Sequence, residues 1–216
     1  NGKSGWTDGI YRLYATLAQD FLYKDPSKNV IFMDNHDMSR FYSMVNEDMN
    51  KYKAGLSLLL TTRGIPQVYY GTEILMKNYS NPDGLVRSDF PGGWKEDKIN
   101  KFTPAGRTAA ENEAFNYFRT LANFRKSSEA LQTGKMTQYV PQDGIYVYFR
   151  YSESNPSAPV MVVINTEDKE NQLNTSRFNE RIGNANTASN VMTGETLNDI
   201  KTIVVPAKGT LVLSIK

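Results

Sequence analysis

At 216 residues, with 25 Lys+Arg against 23 Asp+Glu, 39% hydrophobic and 12% aromatic residues, the chain has the composition of a globular protein of one large or two modest domains. The lack of Cys excludes a disulfide scaffold, Cys-ligated zinc, iron–sulfur clusters and thiol nucleophiles, and a single His excludes a multi-histidine metal site, so no metal or cofactor is expected. A net charge of +2 without basic stripes gives nucleic acid no footing, and no run approaches the roughly 18 apolar residues of a membrane span, so neither partner is expected.

The first residues lack both an initiating Met and a signal-peptide core, so Asn1 reads as the start of a fragment or of a processed chain. From Ile10, the apolar positions Leu13, Tyr14, Leu17, Ala18 and Phe21 share one helical face, with Thr7 as N-cap and Asp8 in the first turn. Asp25, Pro26 and Ser27 punctuate. Val30 to Met33 then form a continuous apolar run, the pattern of a strand covered on both faces, ending in polar Asp34, Asn35, His36 and Asp37. Met49, Tyr52, Leu56, Leu59 and Leu60 return to helical spacing, Gly64 stops that helix, and Ile65 to Tyr70 reads as a second buried strand ending at Gly71.

A Gly-, Pro-, Asn- and Asp-rich excursion from Asn78 to Pro104 follows, and Thr108 with Glu111 forms a capping box for a helix through Ala114, Tyr117, Phe118, Leu121 and Ala122. Past Gly134 the period becomes two: Ile145 to Tyr151, Val160 to Ile164, Ile203 to Val205 and Leu211 to Ile215 are strand-like. The Asn-rich stretch from Glu167 to Asn190 reads as a long surface connection. The division expected is 1–130 for an α/β part and 131–216 for an all-β part.

Alternating strands and helices imply a parallel sheet, whose ligands bind at the carboxyl ends of its strands. That edge brings Asn35, His36 and Asp37 together with Gly71, Thr72 and Glu73. On residue chemistry alone, Asp37 and Glu73 form a candidate carboxylate pair for acid–base or glycosidic chemistry, with His36 as hydrogen-bond donor or proton carrier. Glu73 serves equally as a helix cap or an ion-pair partner, and Arg40 and Arg87 as solvated or ion-paired cations that can also bind substrate. Trp94, after Gly92 and Gly93, is either a sugar-stacking platform or a loop anchor. Tyr69 and Tyr70 read as a packing pair, one ring inward and one toward the site.

The run Phe32-Met33-Asp34-Asn35-His36-Asp37 resembles the strand-seven motif of the α-amylase superfamily, glycoside hydrolase family thirteen, and Gly64-Ile65-Pro66-Gln67-Val68-Tyr69-Tyr70-Gly71-Thr72-Glu73 resembles its strand-eight motif. Asn81-Pro82-Asp83-Gly84 and Arg87-Ser88-Asp89-Phe90-Pro91-Gly92-Gly93-Trp94 are similar to the loop of the neopullulanase and cyclomaltodextrinase branch. The resemblance implies the last two strands and last helices of a (β/α)8 barrel followed by an antiparallel β-sandwich. A whole barrel takes about 250 residues, more than 1–130 supply.

In that family the nucleophilic Asp follows the fourth strand and the general-acid Glu the fifth, and neither motif occurs here. The resemblance therefore reassigns the carboxylate pair. It implies that His36 donates to sugar at subsite −1, that Asp37 is the third carboxylate, gripping ring hydroxyls and favouring a distorted sugar, and that Glu73 is architectural. Asn35, Arg40, Tyr70, Arg87 and Trp94 are the implied substrate contacts.

The resulting expectation is the C-terminal part of a retaining α-glucan hydrolase acting on starch oligosaccharides, cyclodextrins or pullulan, inactive alone and self-associating through its exposed barrel strands. A periplasmic or secreted setting is favoured over a cytoplasmic one. The alternative is a noncatalytic glycan-binding or interaction module carrying a vestigial barrel remnant.

Overall fold

The computed structural model describes residues 8–156 and 158–216. Helix α1 spans Ile10–Leu17, and its stripe of Ile10, Leu13 and Tyr14 packs on the central sheet of the molecule. The residue before it is Gly9, with no side-chain cap, so Asp8 lies ahead of the first turn; the expected cap Thr7 lies outside the described residues. The helix tightens into a 3-10 turn over Ala18–Leu22, which leaves Phe21 in water where a continuing helix would have carried it inward.

Strand β1 is only Val30–Ile31. The short helix α2 covers Phe41–Met44 and α3 covers Met49–Thr61, and strand β2, Ile65–Pro66, pairs parallel with β1, setting Val30 opposite Ile65. The expectation of strands covered on both faces is corrected. Met33 reaches the cluster of Phe41, Tyr52 and Leu56, whereas Val30 and Ile65 are each 53% exposed and Phe32 is exposed beside them. Residues alternate between faces along a strand, and here only one face has a layer against it.

Asp48 caps α3 by accepting from the backbone N–H of Asn50 and Lys51 at 2.9 and 3.1 Å, and these bonds hold its carboxyl below the usual range. A Cβ at Gly55 would stand 2.2 Å from the Phe41 ring, so a glycine is what lets α2 and α3 approach. Helix α4, Ala109–Ser127, opens with the expected capping box, Glu111 N–H to Thr108 Oγ1 at 3.2 Å and Thr108 N–H to Glu111 Oε2 at 2.9 Å. Its Arg125 donates to the carbonyls of Leu60, Thr62 and Gly64, taking up the oxygens left free where α3 ends.

After α5, Glu129–Gln132, come β3 Lys135–Gln138, β4 Ile145–Tyr151, β5 Val160–Asn165, β6 Asn171–Asn174, α6 Asn179–Ile182, β7 Ala188–Asn190, β8 Thr196–Leu197, β9 Thr202–Val205 and β10 Thr210–Ile215. An antiparallel sheet of order β3-β4-β5-β10-β7-β8 faces a two-stranded one, β6-β9. One face of the larger sheet (Ile145, Val147, Phe149, Met161, Val163, Leu213) packs on Ile203, Val205, Phe178 and Ile182. Its other face (Tyr146, Tyr148, Val160, Val162, Ile164, Val212) packs on Leu60, Leu121 and Leu131 of the helices. The helical and sheet parts therefore share one core.

At that seam Arg150, 1% exposed, meets no carboxylate. It donates to the carbonyls of Thr61, Gly134 and Lys135, and desolvation lowers its pKa to about 10. The expected surface connection at 167–190 is also corrected: it holds β6, α6 and β7, anchored by buried Phe178, Ile182 and Ala188.

Candidate active site

The site begins beneath the surface, at Asp34. This side chain is buried; its Oδ2 accepts from the Phe41 backbone N–H at 2.8 Å, and the Thr72 hydroxyl donates to the same carboxylate at 3.1 Å. Burial pushes its pKa up, and those two bonds together with the Arg40 charge pull it back. Asp34 thus ties the segment after β1 to α2 and to the turn after β2. Tyr52 completes the tie by donating its hydroxyl to the Thr72 carbonyl at 2.7 Å. The chain pattern offered Asp34 as one polar residue among four; its role as the internal bolt is visible only from contacts distant in sequence.

Above it, Asn35 Oδ1 accepts the Asp37 backbone N–H at 2.9 Å, bending the chain so that His36 and Asp37 stand outward. The His36 Nε2 to Asp37 Oδ2 distance is 3.5 Å. Arg87, from the loop after β2, donates through Nε to the His36 carbonyl at 2.9 Å and through Nη2 to Asp37 Oδ1 at 3.0 Å, and its guanidinium stands 3.5 Å from Asp83. His36 and Asp37 are 63% and 65% exposed along their side chains. At such exposure ion pairs add little stability, so this cluster is not explained by holding the fold together.

Tyr70 lies at the same edge, its hydroxyl donating to the Ser88 carbonyl at 2.7 Å, one residue from Arg87. Asp37 and Tyr70 therefore lean on consecutive residues of one loop. Tyr69 and Tyr70 meet edge-on at 4.6 Å, Tyr69 half-buried and Tyr70 outward, as the sequence suggested. A Cβ on Gly71, at φ +83°, would collide with Met76, which explains the glycine after the tyrosine pair.

Arg40 departs from its expected role. It is 1% exposed, donates Nη1 to the Tyr70 carbonyl, and lies 4.1 Å over the Tyr69 ring and 4.7 Å over that of Tyr70. Such a guanidinium positions the end of β2 from below. Glu73 is half-buried with its pKa pushed up by desolvation, opposed by the Arg40 and Arg107 charges, and no bond joins it to Asp37. Among the described residues Asp37 is bonded to Arg87 while Glu73 sits with Arg40 and Arg107, so the two carboxyls share no partner. Trp94 donates its backbone N–H to Asp97 Oδ2 at 3.1 Å, and the residue is 63% exposed. Among the described residues no group of three or more His, Asp or Glu side chains could hold a metal ion, and no helix is long and apolar enough to cross a membrane.

Residues 9–105 match the model of the α-amylase catalytic domain, and residues 136–214 match that of the cyclomaltodextrinase C-terminal domain. The cyclomaltodextrin glucanotransferase of Klebsiella oxytoca is 30% identical over 198 residues, covering 82% of this chain and 28% of that protein.

The chain belongs to the α-amylase family.

A second relative of this α-amylase family chain, the α-amylase of Niallia circulans, is 30% identical over 147 residues, or 68% of the chain and 24% of the relative. Among solved structures, a cyclomaltodextrin glucanotransferase with a three-domain ABC distribution superposes with a TM-score of 0.69 at 26% identity, covering 96% of this chain and 41% of that one. A variant of AmyP, solved in complex with maltotriose, superposes with a TM-score of 0.75 at 17% identity over 94% of this chain and 44% of that one, a likeness of fold. The chain spans less than half the length of each of these proteins. Within it α1, α2, α3 and the parallel pair fall in the catalytic-domain match, α4 and α5 lie between the two matches, and the sheets from Met136 onward fall in the C-terminal-domain match.

Proposed function

We propose that the chain is the C-terminal part of a retaining α-glucan hydrolase of the neopullulanase and cyclomaltodextrinase branch, supplying His36 and Asp37 to the subsite at the scissile sugar. The observation that carries this reading is the exposed His36–Asp37–Arg87 cluster at the carboxyl edge of a parallel strand pair inside the catalytic-domain match. Ligands in barrels and open α/β sheets bind at that edge. In the reading, sugar hydroxyls replace part of the Arg87 contact on Asp37, whose negative charge favours the sugar as it becomes oxocarbenium-like, and the imidazole of His36 donates to a sugar hydroxyl. Interactions of this kind accelerate a reaction when they strengthen at the transition state. Trp94 stacks on a neighbouring sugar, and Arg40 holds Tyr70 in place from inside.

Cleavage with retention needs a nucleophilic carboxylate and a proton-donating carboxyl about 5 Å apart. Among the described residues Asp37 is bonded to a guanidinium and stands beside an imidazole, and no carboxyl is bonded to it. The strand-four and strand-five motifs that carry the nucleophile and the acid in the resembled family do not occur in the 216 residues, so on this reading those groups come from elsewhere in the protein and the chain alone does not hydrolyse α-glucans. The test follows maltoheptaose and a cyclodextrin by chromatography with the protein as encoded and with the isolated chain. Turnover by the first and none by the second is expected. Turnover by the isolated chain that disappears in Glu73→Gln or Asp89→Asn would overturn the reading.

A further inference from the structure

A groove of about 230 Å³ lies on the sheet part, between the turn that joins β3 to β4 and strand β6. Its floor is apolar, built by Ile145, Val147 and Phe178 of the core together with half-buried Tyr139 and Leu173. Its rim is polar, and its side chains are uncommitted: among the described residues, those of Gln142, Asp143, Asn171 and Gln172 have no protein hydrogen-bond partner. Asn171 is half-buried beside the apolar floor.

The walls are set in advance. Gln142 and Ile145 exchange backbone bonds of 3.0 and 2.8 Å across a tight turn through Asp143 and Gly144, both at positive φ. The Tyr139 ring is held edge-on by Phe178 at 4.7 Å and by Phe149 at 6.0 Å, while its hydroxyl bonds Glu180 at 2.7 Å. Arg177 is fastened to the Val140 carbonyl at 3.0 Å. Side chains locked in this way bind without losing much freedom.

The chemistry of the rim selects the ligand. Asp143 and Arg177 carry opposite charges, so the groove favours neither an anion nor a cation. Each of the three amides offers a donor and an acceptor together, which is the complement of a hydroxyl. An apolar floor beneath such a rim suits a pyranose, which has a face of C–H groups and an edge of hydroxyls. The volume is below the roughly 300–1,000 Å³ of sites for drug-sized molecules, so the groove takes the end of a chain or a short stretch of it. We propose that this groove is a second glycan-binding site, separate from the His36–Asp37 cluster, that holds a terminal sugar of an oligosaccharide. The choice of an α-linked glucan rests on the proposed function; the preference for a neutral polyhydroxylated ligand rests on the groove alone.

The test is an amide NMR titration of the intact chain with maltoheptaose, reading the side-chain NH2 signals of Gln142, Asn171 and Gln172. These signals are expected to shift at millimolar sugar. The dissociation constant should rise about tenfold or more in the Asn171→Ala/Gln172→Ala double variant and in Gln142→Ala, with circular dichroism unchanged, and stay within about twofold in Asp37→Ala. Silent amide signals, or an affinity indifferent to both rim variants, would overturn the site. Equal response to cellopentaose would overturn the assignment to an α-linked chain. Turnover does not enter this readout, so failure of the proposed function at Asp37 registers separately.

Discussion

Two apolar runs in this chain meet opposite fates. All six residues of β5, Val160–Asn165, are buried, whereas β1 starts with Val30 at 53% exposure, opposite Ile65 at the same value. Apolar content does not separate them. β5 has β4 and β10 as neighbours, helices on one face and the β6–β9 pair on the other. Among the described residues the β1–β2 pair has the Phe41–Tyr52–Leu56 cluster, reached through Met33, on one side, and Val30 and Ile65 exposed on the other. Parallel strands are stable when both faces are covered; β5 meets that condition with the helices on one face and β6–β9 on the other, and among the described residues the parallel pair does not.

The comparison breaks first on stability. Phe149→Ala, which empties a site with no solvent access, should cost about 3–5 kcal/mol in urea unfolding, while Ile65→Ala should stay within about 0.5 kcal/mol. Equal losses at the two positions would refute the contrast. The next effect concerns association. The open faces of Val30, Phe32 and Ile65 should drive the isolated chain to self-associate at micromolar concentration in sedimentation velocity. Val30→Lys with Ile65→Lys should shift it toward monomer, and a clean wild-type monomer would contradict the expectation.

A smaller effect sharpens the account of the buried polar layer beneath the site. Burial raises the Glu73 carboxyl above its ordinary value of 4.5, so the folded chain holds that proton more tightly than the unfolded one. The contribution of Glu73 to stability therefore falls as pH rises from 4.5 through the raised value and is constant above it. Glu73→Gln should gain stability relative to wild type across that interval, read from urea midpoints at successive pH values. A difference independent of pH would contradict the assignment.

The sheet part was largely legible in sequence because its runs are long and bounded by turn residues, as at Ile145 to Tyr151. The segment 167–190 was not, because its anchors Leu173, Phe178 and Ile182 stand singly among polar residues and find their partners in β9 and the larger sheet. The ends of β1 and β2 were overread, since a continuous apolar run signals the burial a complete sheet would give and carries no record of which layers are present. At the site, Asn35, His36 and Asp37 were legible as polar residues following an apolar strand. The burial of Arg40 was hidden, because its partners Tyr69 and Tyr70 lie some thirty positions away and a charged side chain reads as surface until they are placed.

The measurement that bears most directly on the central claim is the turnover of maltoheptaose by the protein as encoded, compared with its Asp37→Asn variant. Asp37 is exposed and tied only to its own loop and to Arg87, so the substitution should leave the unfolding transition where it is. On the proposed role of Asp37 the substitution should lower kcat by about a hundredfold to a thousandfold or more. A correctly folded Asp37→Asn protein with near-normal kcat would contradict the account.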